Sequence, residues 1–455
     1  MTAPAGAGQV APALPAAAGR LARWRRHDLV ALARRSAMLF ATRVSGAAIA
    51  YLTQVLLARW MGADELGVFI VAFSLGLLLT TVATLGYADT ALRFIPPALA
   101  QGDAAAVRGW LRRGRQVVLA AGVAVAAVGV AAALGGAVPD RYGAPVLVAC
   151  LGVPAFAAIR FHAALAHALS RFQLATLPAT IARPALFLVA LAVLWRLNRT
   201  LTATDAMVLH FLVVVAVATA VFVLATRAVD RDLAAAPPRA QTRLWLRTGL
   251  PLLLITLFAE YFPDIAIVLL GLFLPPHDVA VFNAAFRTAF LLAFAIMAID
   301  AAMLPRASRL HATGDRAGLQ HLAVRTSQLK LAAALAGFAV LAGLGHHLLA
   351  LFGPAFTAGR SALLILAAAQ VVTAAAGPGA ALLAVTGHQD RCLGVFALGL
   401  GATVALVSLL APRYGIEGAA AAIVAVTAAW SVWLNLIVAR RVGIRPWAFA
   451  RRRPG

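Results

Sequence analysis

Five charged residues stand inside stretches where lipid should forbid them. Arg43, Arg183 and Arg287 interrupt long apolar runs, and Glu260 and Asp264 share another. A charge at the centre of a bilayer costs about 2.5–3.5 kcal/mol or more, so one that persists generally faces a protein interior or a watery cavity. At about 1.5 Å of rise per residue, Arg43 and Arg183 lie part-way into their spans from the end expected to be cytoplasmic. Arg287 enters its span from the other end. Such a set suits a chain that moves something charged across a membrane. The competing reading is that each arginine snorkels to headgroups or satisfies backbone carbonyls, and Arg59, Arg93 and Arg160 fit that reading best.

Glu260 and Asp264 are i and i+4, and so are expected on one helix face. Pro263 between them removes a backbone donor and should bend the helix, as in spans that rearrange. Two carboxylates at depth cannot comfortably both ionise. One of them could hold a proton or Na⁺ whose gradient drives transport; alternatively, the pair serves as counter-ions for Arg287 or Arg43.

These residues need membrane helices to position them, and the composition supplies little else. Of 455 residues, 63% are hydrophobic and only 12% charged, with a mean hydropathy of +0.90. No soluble domain with a solvated surface has such a balance. A span needs roughly 20 apolar residues, and that ruler predicts twelve: 36–60, 66–90, 115–137, 144–168, 175–196, 205–228, 248–274, 279–304, 328–352, 359–386, 392–412 and 416–439.

The net charge of +23 comes from 39 Lys and Arg against 16 Asp and Glu. With the N-terminus placed inside, 28 of the 39 fall on inner segments, five on outer loops, and six within or at the edges of spans. This is the positive-inside pattern, and it puts both termini in the cytoplasm of a cell inner membrane. Clustering on one side is topology, so no nucleic-acid partner is expected. Residues 1–35 divide into an uncharged Ala/Pro/Gly tail, expected to be disordered, and a basic amphipathic stretch, 20–35. That stretch suits either the anionic inner leaflet or docking by partner enzymes. It precedes a first bundle over 36–228, a cytoplasmic linker over 229–247, a second bundle over 248–440 and a basic tail over 441–455.

Cys150 and Cys392 lie in apolar spans without a CxxC or Cys/His cluster, and the ten histidines show no metal-ligand spacing. No GxxxxGK[ST] phosphate loop is present, so ATP hydrolysis is not expected of this chain. The predicted outer loops are too short to fold into a catalytic domain. No enzyme and no cofactor is expected, beyond a possible H⁺ or Na⁺ as coupling ion.

The halves echo one another. Residues 66–73 align with 279–286 at an offset of 213, matching at Val, Phe, Ala and Phe; Gly102-Asp103 answers Gly314-Asp315 at 212. Six spans per half is an even number, so the repeats run in parallel about an axis along the membrane normal, with a substrate cavity between two bundles. The fold class expected is therefore all-α integral membrane, two six-helix bundles related by a pseudo-two-fold. Gly377-Pro378-Gly379 should break the tenth span.

Several motifs carry a family resemblance. Leu57-Ala58-Arg59-Trp60-Met61-Gly62-Ala63-Asp64-Glu65-Leu66-Gly67 forms the turn between the first two spans, and Leu85-Gly86-Tyr87 ends the second. Gly249-Leu250-Pro251, Asp264 and Gly271 follow in the seventh, and Phe282-Asn283-Ala284-Ala285 in the eighth. Pro305 through Gly314-Asp315 and Leu351-Phe352-Gly353-Pro354-Ala355-Phe356 complete the set. Over roughly 36–440 the chain resembles the Wzx-type polysaccharide repeat-unit flippases of the multidrug/oligosaccharidyl-lipid/polysaccharide exporter superfamily. It departs in having Phe282 where a Tyr is commoner, and in lacking the two extra C-terminal spans of lipid II flippases. The resemblance implies translocation of a lipid-linked oligosaccharide to the outer leaflet, without ATP, through a cationic cavity. Membrane lipids, and a polysaccharide polymerase or glycosyltransferases, are the other candidate partners. Guanidinium groups suit a pyrophosphate because they stay charged and bind its oxygens bidentately. Arg43 and Arg287 are the expected substrate-facing pair, with Arg183 a further candidate. A multidrug or metabolite antiporter of the same fold, and a non-transporting scaffold for a polysaccharide synthase, are the alternatives.

Overall fold

The computed structural model describes residues 26–198, 200–232, 236–387 and 390–449, with side chains from Thr42 onward except those of Arg43, Asp232, Ala259 and 390–393. Every described regular element is helical. Nine of these helices are long and apolar enough to cross a membrane, and a tenth, Thr242–Phe258 with Glu260–Phe273, bends by 63°. Two of the ten are double. Arg26–Ala83 breaks at Gly62 (φ 78°) and Asp390–Arg441 at Gly415 (φ 59°), left-handed conformations that glycine adopts without strain. The chain thus crosses twelve times, six in each of two lobes.

Two local features differ from the expected boundaries, and a third agrees. The first helix already runs from Arg26, so the second part of the 20–35 stretch is its opening turns; 1–25 lie outside the described residues. The second span stops at Ala83, short of 90. There Leu85 (φ 48°) and Gly86 (φ 68°) turn the chain into a 3-10 turn, Ala88–Thr90, and a short amphipathic helix, Ala91–Ala100. A Cβ at Gly86 would collide with the carbonyl oxygen of Gly249, so glycine here allows the second and seventh spans to touch. The tenth span breaks as expected, with Gly377 at φ 109° and a new helix from Gly379.

Packing differs between the two faces of the molecule. Toward the short-loop face, one continuous core joins both lobes: Leu57, Leu66 and Phe69 of the first pair of spans meet Ile267, Leu270, Val281 and Phe282, with Phe352 and Phe356 beneath. Toward the arginine-rich face the core divides. One cluster is built on Tyr87, Trp110, Phe161 and Trp245, the other on Phe258, Phe396, Leu434 and Ile444.

The repeat is visible in this packing. Phe69 stacks on Phe73 with centroids 5.8 Å apart, and at an offset of 213 Phe282 stacks on Phe286 at 6.4 Å. Gly102 and Gly314 both turn with positive φ, 68° and 71°. The aspartate after each caps the next helix, Asp103 accepting from Ala106 N at 2.9 Å and Asp315 from Gly318 N at 2.7 Å.

Candidate functional site

Between the lobes lies a cavity of about 330 Å³. The first and second spans contribute Tyr51, Gln54, Phe73 and Ser74, the fifth and sixth Arg183 and His210, and the seventh and eighth Asp264 and Arg287. Its charged lining is therefore two arginines and one aspartate.

Arg183 reaches the cavity from an irregular stretch of helix. Phe172–Leu177 passes through a π-helical turn, Pro178–Ala182, before the α-helix Arg183–Asn198 resumes. The wider turn rotates the helix face, a device frequent at functional sites. The guanidinium lies over the Phe156 ring, 4.8 Å from its centroid, and its Nη1 stands 3.4 Å from His210 Nε2. Phe73 and Phe187 flank the same imidazole at 5.0 and 5.2 Å. Nε of Arg183 is buried without a hydrogen-bond partner, as is Nε of Arg287 on the other lobe.

Asp264 is only 7% exposed, and one oxygen accepts from Ser74 Oγ at 2.8 Å, a bond between lobes. A second bond between lobes joins Tyr51 Oη and Thr288 Oγ1 at 3.2 Å. Tyr51 and Asp264 are themselves 213 residues apart, as are Ser74 and Arg287. Equivalent positions of the repeat thus face each other across the cavity with different chemistry. Asn283 donates to Gln54 Oε1 at 2.8 Å, a further polar bond between the first and eighth spans.

The expected partnership of Glu260 with Asp264 is not formed. Glu260 has an exposed side chain (61%) and pairs with Arg160 at 3.5 Å, while Asp264 faces the cavity. Pro263 cannot donate to the carbonyl four residues earlier, which lies where the helix bends, and Glu260 is the first residue after that bend. Arg160, read from sequence as a snorkelling residue, instead ties three elements together: it bonds Asp89 at 3.2 Å and Tyr261 Oη at 2.7 Å besides Glu260. Arg43 lies in the first helix, one turn before Ala47 of the cavity lining; its side chain is outside the described residues. His210, Ser74, Tyr51 and Gln54 were not singled out from sequence. A histidine inside an apolar span was the one available signal, and it does not tell which way the ring faces.

Twelve helices in two lobes around one shared cavity are the plan of transporters that rock two bundles about a central site. Residues 32–311 match the family model described as Polysaccharide biosynthesis protein, and the chain belongs to that family. Among solved structures, the lipid II flippase MurJ in an inward closed conformation superposes with a TM-score of 0.71 at 11% identity, over 88% of this chain and 87% of that one. An inward-facing multidrug resistance MATE family transporter of the MOP superfamily gives 0.66 at 16% identity, over 89% and 94%. A MOP superfamily transporter from Pyrococcus furiosus, described as having a binding pocket of reversed polarity, gives 0.57 at 16%, over 89% and 94%. At such identities the likeness is one of fold. No curated protein matches in sequence.

Proposed function

We propose that this chain is a flippase that carries a polyprenyl-diphosphate-linked oligosaccharide from the cytoplasmic to the outer leaflet, for cell-surface polysaccharide biosynthesis. The observation that carries this reading is the pair Arg183 and Arg287. They line one cavity from opposite lobes, each with a buried Nε that no protein group satisfies. A guanidinium left with open donors in a desolvated site is matched by a phosphate oxygen, and a diphosphate can span two of them. Arg43 is assigned to the same path on its place in the first span. Membership of a polysaccharide biosynthesis family supports the sugar cargo, and the distribution of arginine supports an inner-membrane protein with cytoplasmic termini. A polymerase or glycosyltransferase would supply or consume the cargo on either side.

Asp264 is the group to couple transport to a proton or Na⁺: it is buried, in the cavity, and bonded across the lobes by Ser74. Glu260, on Arg160, has no such place. Asp264 also favours the second reading, an antiporter that takes an organic cation. A deletion strain separates the two. The flippase reading expects loss of surface polymer with lipid-linked oligosaccharide accumulating on the cytoplasmic leaflet. Normal polymer with altered drug sensitivity would favour the antiporter.

A further inference from the structure

The two lobes differ at one equivalent place on the arginine-rich face. In the first lobe, the segment after the sixth span folds back onto the Gly102-Asp103 turn. Arg239 N donates to Ala105 O at 2.9 Å, and its guanidinium pairs with Asp103. The small pocket there, about 180 Å³, therefore holds an arginine already neutralised. In the second lobe, the segment after the twelfth span folds back in the same way, but side-chain amides hold it. Gln320 Nε2 donates to Arg445 O at 2.7 Å and its Oε1 accepts from Arg445 N at 2.6 Å. No arginine meets Asp315 among the described residues, and its Oδ1 is used in capping the next helix.

What remains is a pocket of about 260 Å³ whose charged lining is His311, Asp315, Arg316 and Arg441 over an apolar floor of Leu310, Leu319 and Ile444. Neither the Arg316 nor the Arg441 guanidinium has a hydrogen-bond or ion-pair partner among the described residues. The two arginines against Asp315 thus leave the pocket one surplus positive charge above hydrocarbon side chains. A lone arginine on this face would be solvated. Two that converge with a histidine on a concave, apolar-floored site fit a ligand with an anionic group and a greasy flank. Basic pockets between membrane helices on the inner side take phosphate headgroups in this manner, and guanidinium matches phosphate geometry bidentately.

We propose that this pocket is a phosphate site, separate from the central cavity, which binds the phosphate of an anionic phospholipid or, failing that, free phosphate. The site is independent of the transport cargo and holds whether or not the flippase reading does.

The test uses the full chain in nanodiscs of phosphatidylcholine with and without phosphatidylglycerol, and in detergent with inorganic phosphate or chloride at equal ionic strength. Thermal unfolding is followed by tryptophan fluorescence. The melting temperature of the unsubstituted chain should rise with phosphatidylglycerol, and R316Q/R441Q should lose most of that rise. R306Q/R309Q, which removes two arginines from the same face outside the pocket, should keep it. Both pocket arginines are exposed, so folding should survive their replacement, and R441Q alone should give an intermediate shift. A rise with phosphatidylglycerol alone assigns a lipid headgroup; a rise with inorganic phosphate as well assigns the bare anion. No rise with either, or a rise that R316Q/R441Q keeps in full, would overturn the site.

Discussion

Arg287 brings a guanidinium to the cavity with a buried Nε that no protein group satisfies, so its replacement should be felt by the cargo more than by the fold. A hydrogen bond to a charged group is worth about 1.5–3 kcal/mol, which corresponds to a ten- to hundredfold effect. R287A is therefore expected to reduce surface polymer at least tenfold at unchanged protein level, and R287K to recover part of it, since lysine restores charge without the bidentate fork. Full export by R287A would remove Arg287 from the path. Asp264 calls for a different readout. D264N can still accept from Ser74 but no longer changes charge. Export by this variant should stop responding to imposed pH or Na⁺ gradients, and an unaltered response would end its coupling role. At this scale the arginines were legible because charge in an apolar run is anomalous. Ser74, Tyr51 and His210 were not, since neutral polar side chains occur throughout membrane helices and only tertiary packing decides which face a cavity.

Helix ends and breaks decide how these side chains are aimed. Pro263 and Gly377-Pro378-Gly379 were readable as breaks from residue type, because proline withdraws a donor and glycine permits left-handed backbone. The apolar ruler overran the end of the second span by several residues, whereas the Leu85-Gly86-Tyr87 motif falls at the turn that follows it. Apolarity continues past Ala83, but Leu85 and Gly86 take positive φ there, and Gly86 lies against Gly249, 163 residues away. G86A tests this contact. An added Cβ meets backbone that cannot move aside, and φ is positive. A loss of stability on the order of 1–3 kcal/mol is expected, seen as a lower melting temperature for the purified protein; an unchanged melt would mean that the two spans need not touch. The Glu260 pairing failed at this scale too. Pairing between i and i+4 also depends on the neighbours each side chain meets: Glu260, just after the bend, is exposed and pairs with Arg160, while Asp264 lines the cavity.

The molecule as a whole is two copies of one plan with unlike chemistry at matching positions. Short sequence echoes were enough to indicate the duplication because its strongest elements, the Phe pairs and the Gly-Asp turns, are local. The pairing of Tyr51 with Thr288 and of Asp264 with Ser74 required the lobes to be set face to face. One core is shared by both lobes near the short-loop face, and near the arginine-rich face the lobes also meet, where Gly86 touches Gly249 and Trp245 of the seventh span packs in the Tyr87 cluster. The most direct measurement is flipping in proteoliposomes loaded with a polyprenyl-diphosphate oligosaccharide, comparing the unsubstituted chain with R183A/R287A. Protein-dependent appearance of the sugar on the opposite leaflet, lost in the double variant, is the predicted result. Liposomes in which the sugar stays on its original leaflet with the unsubstituted chain, or crosses equally well with R183A/R287A, would contradict transport through this cavity.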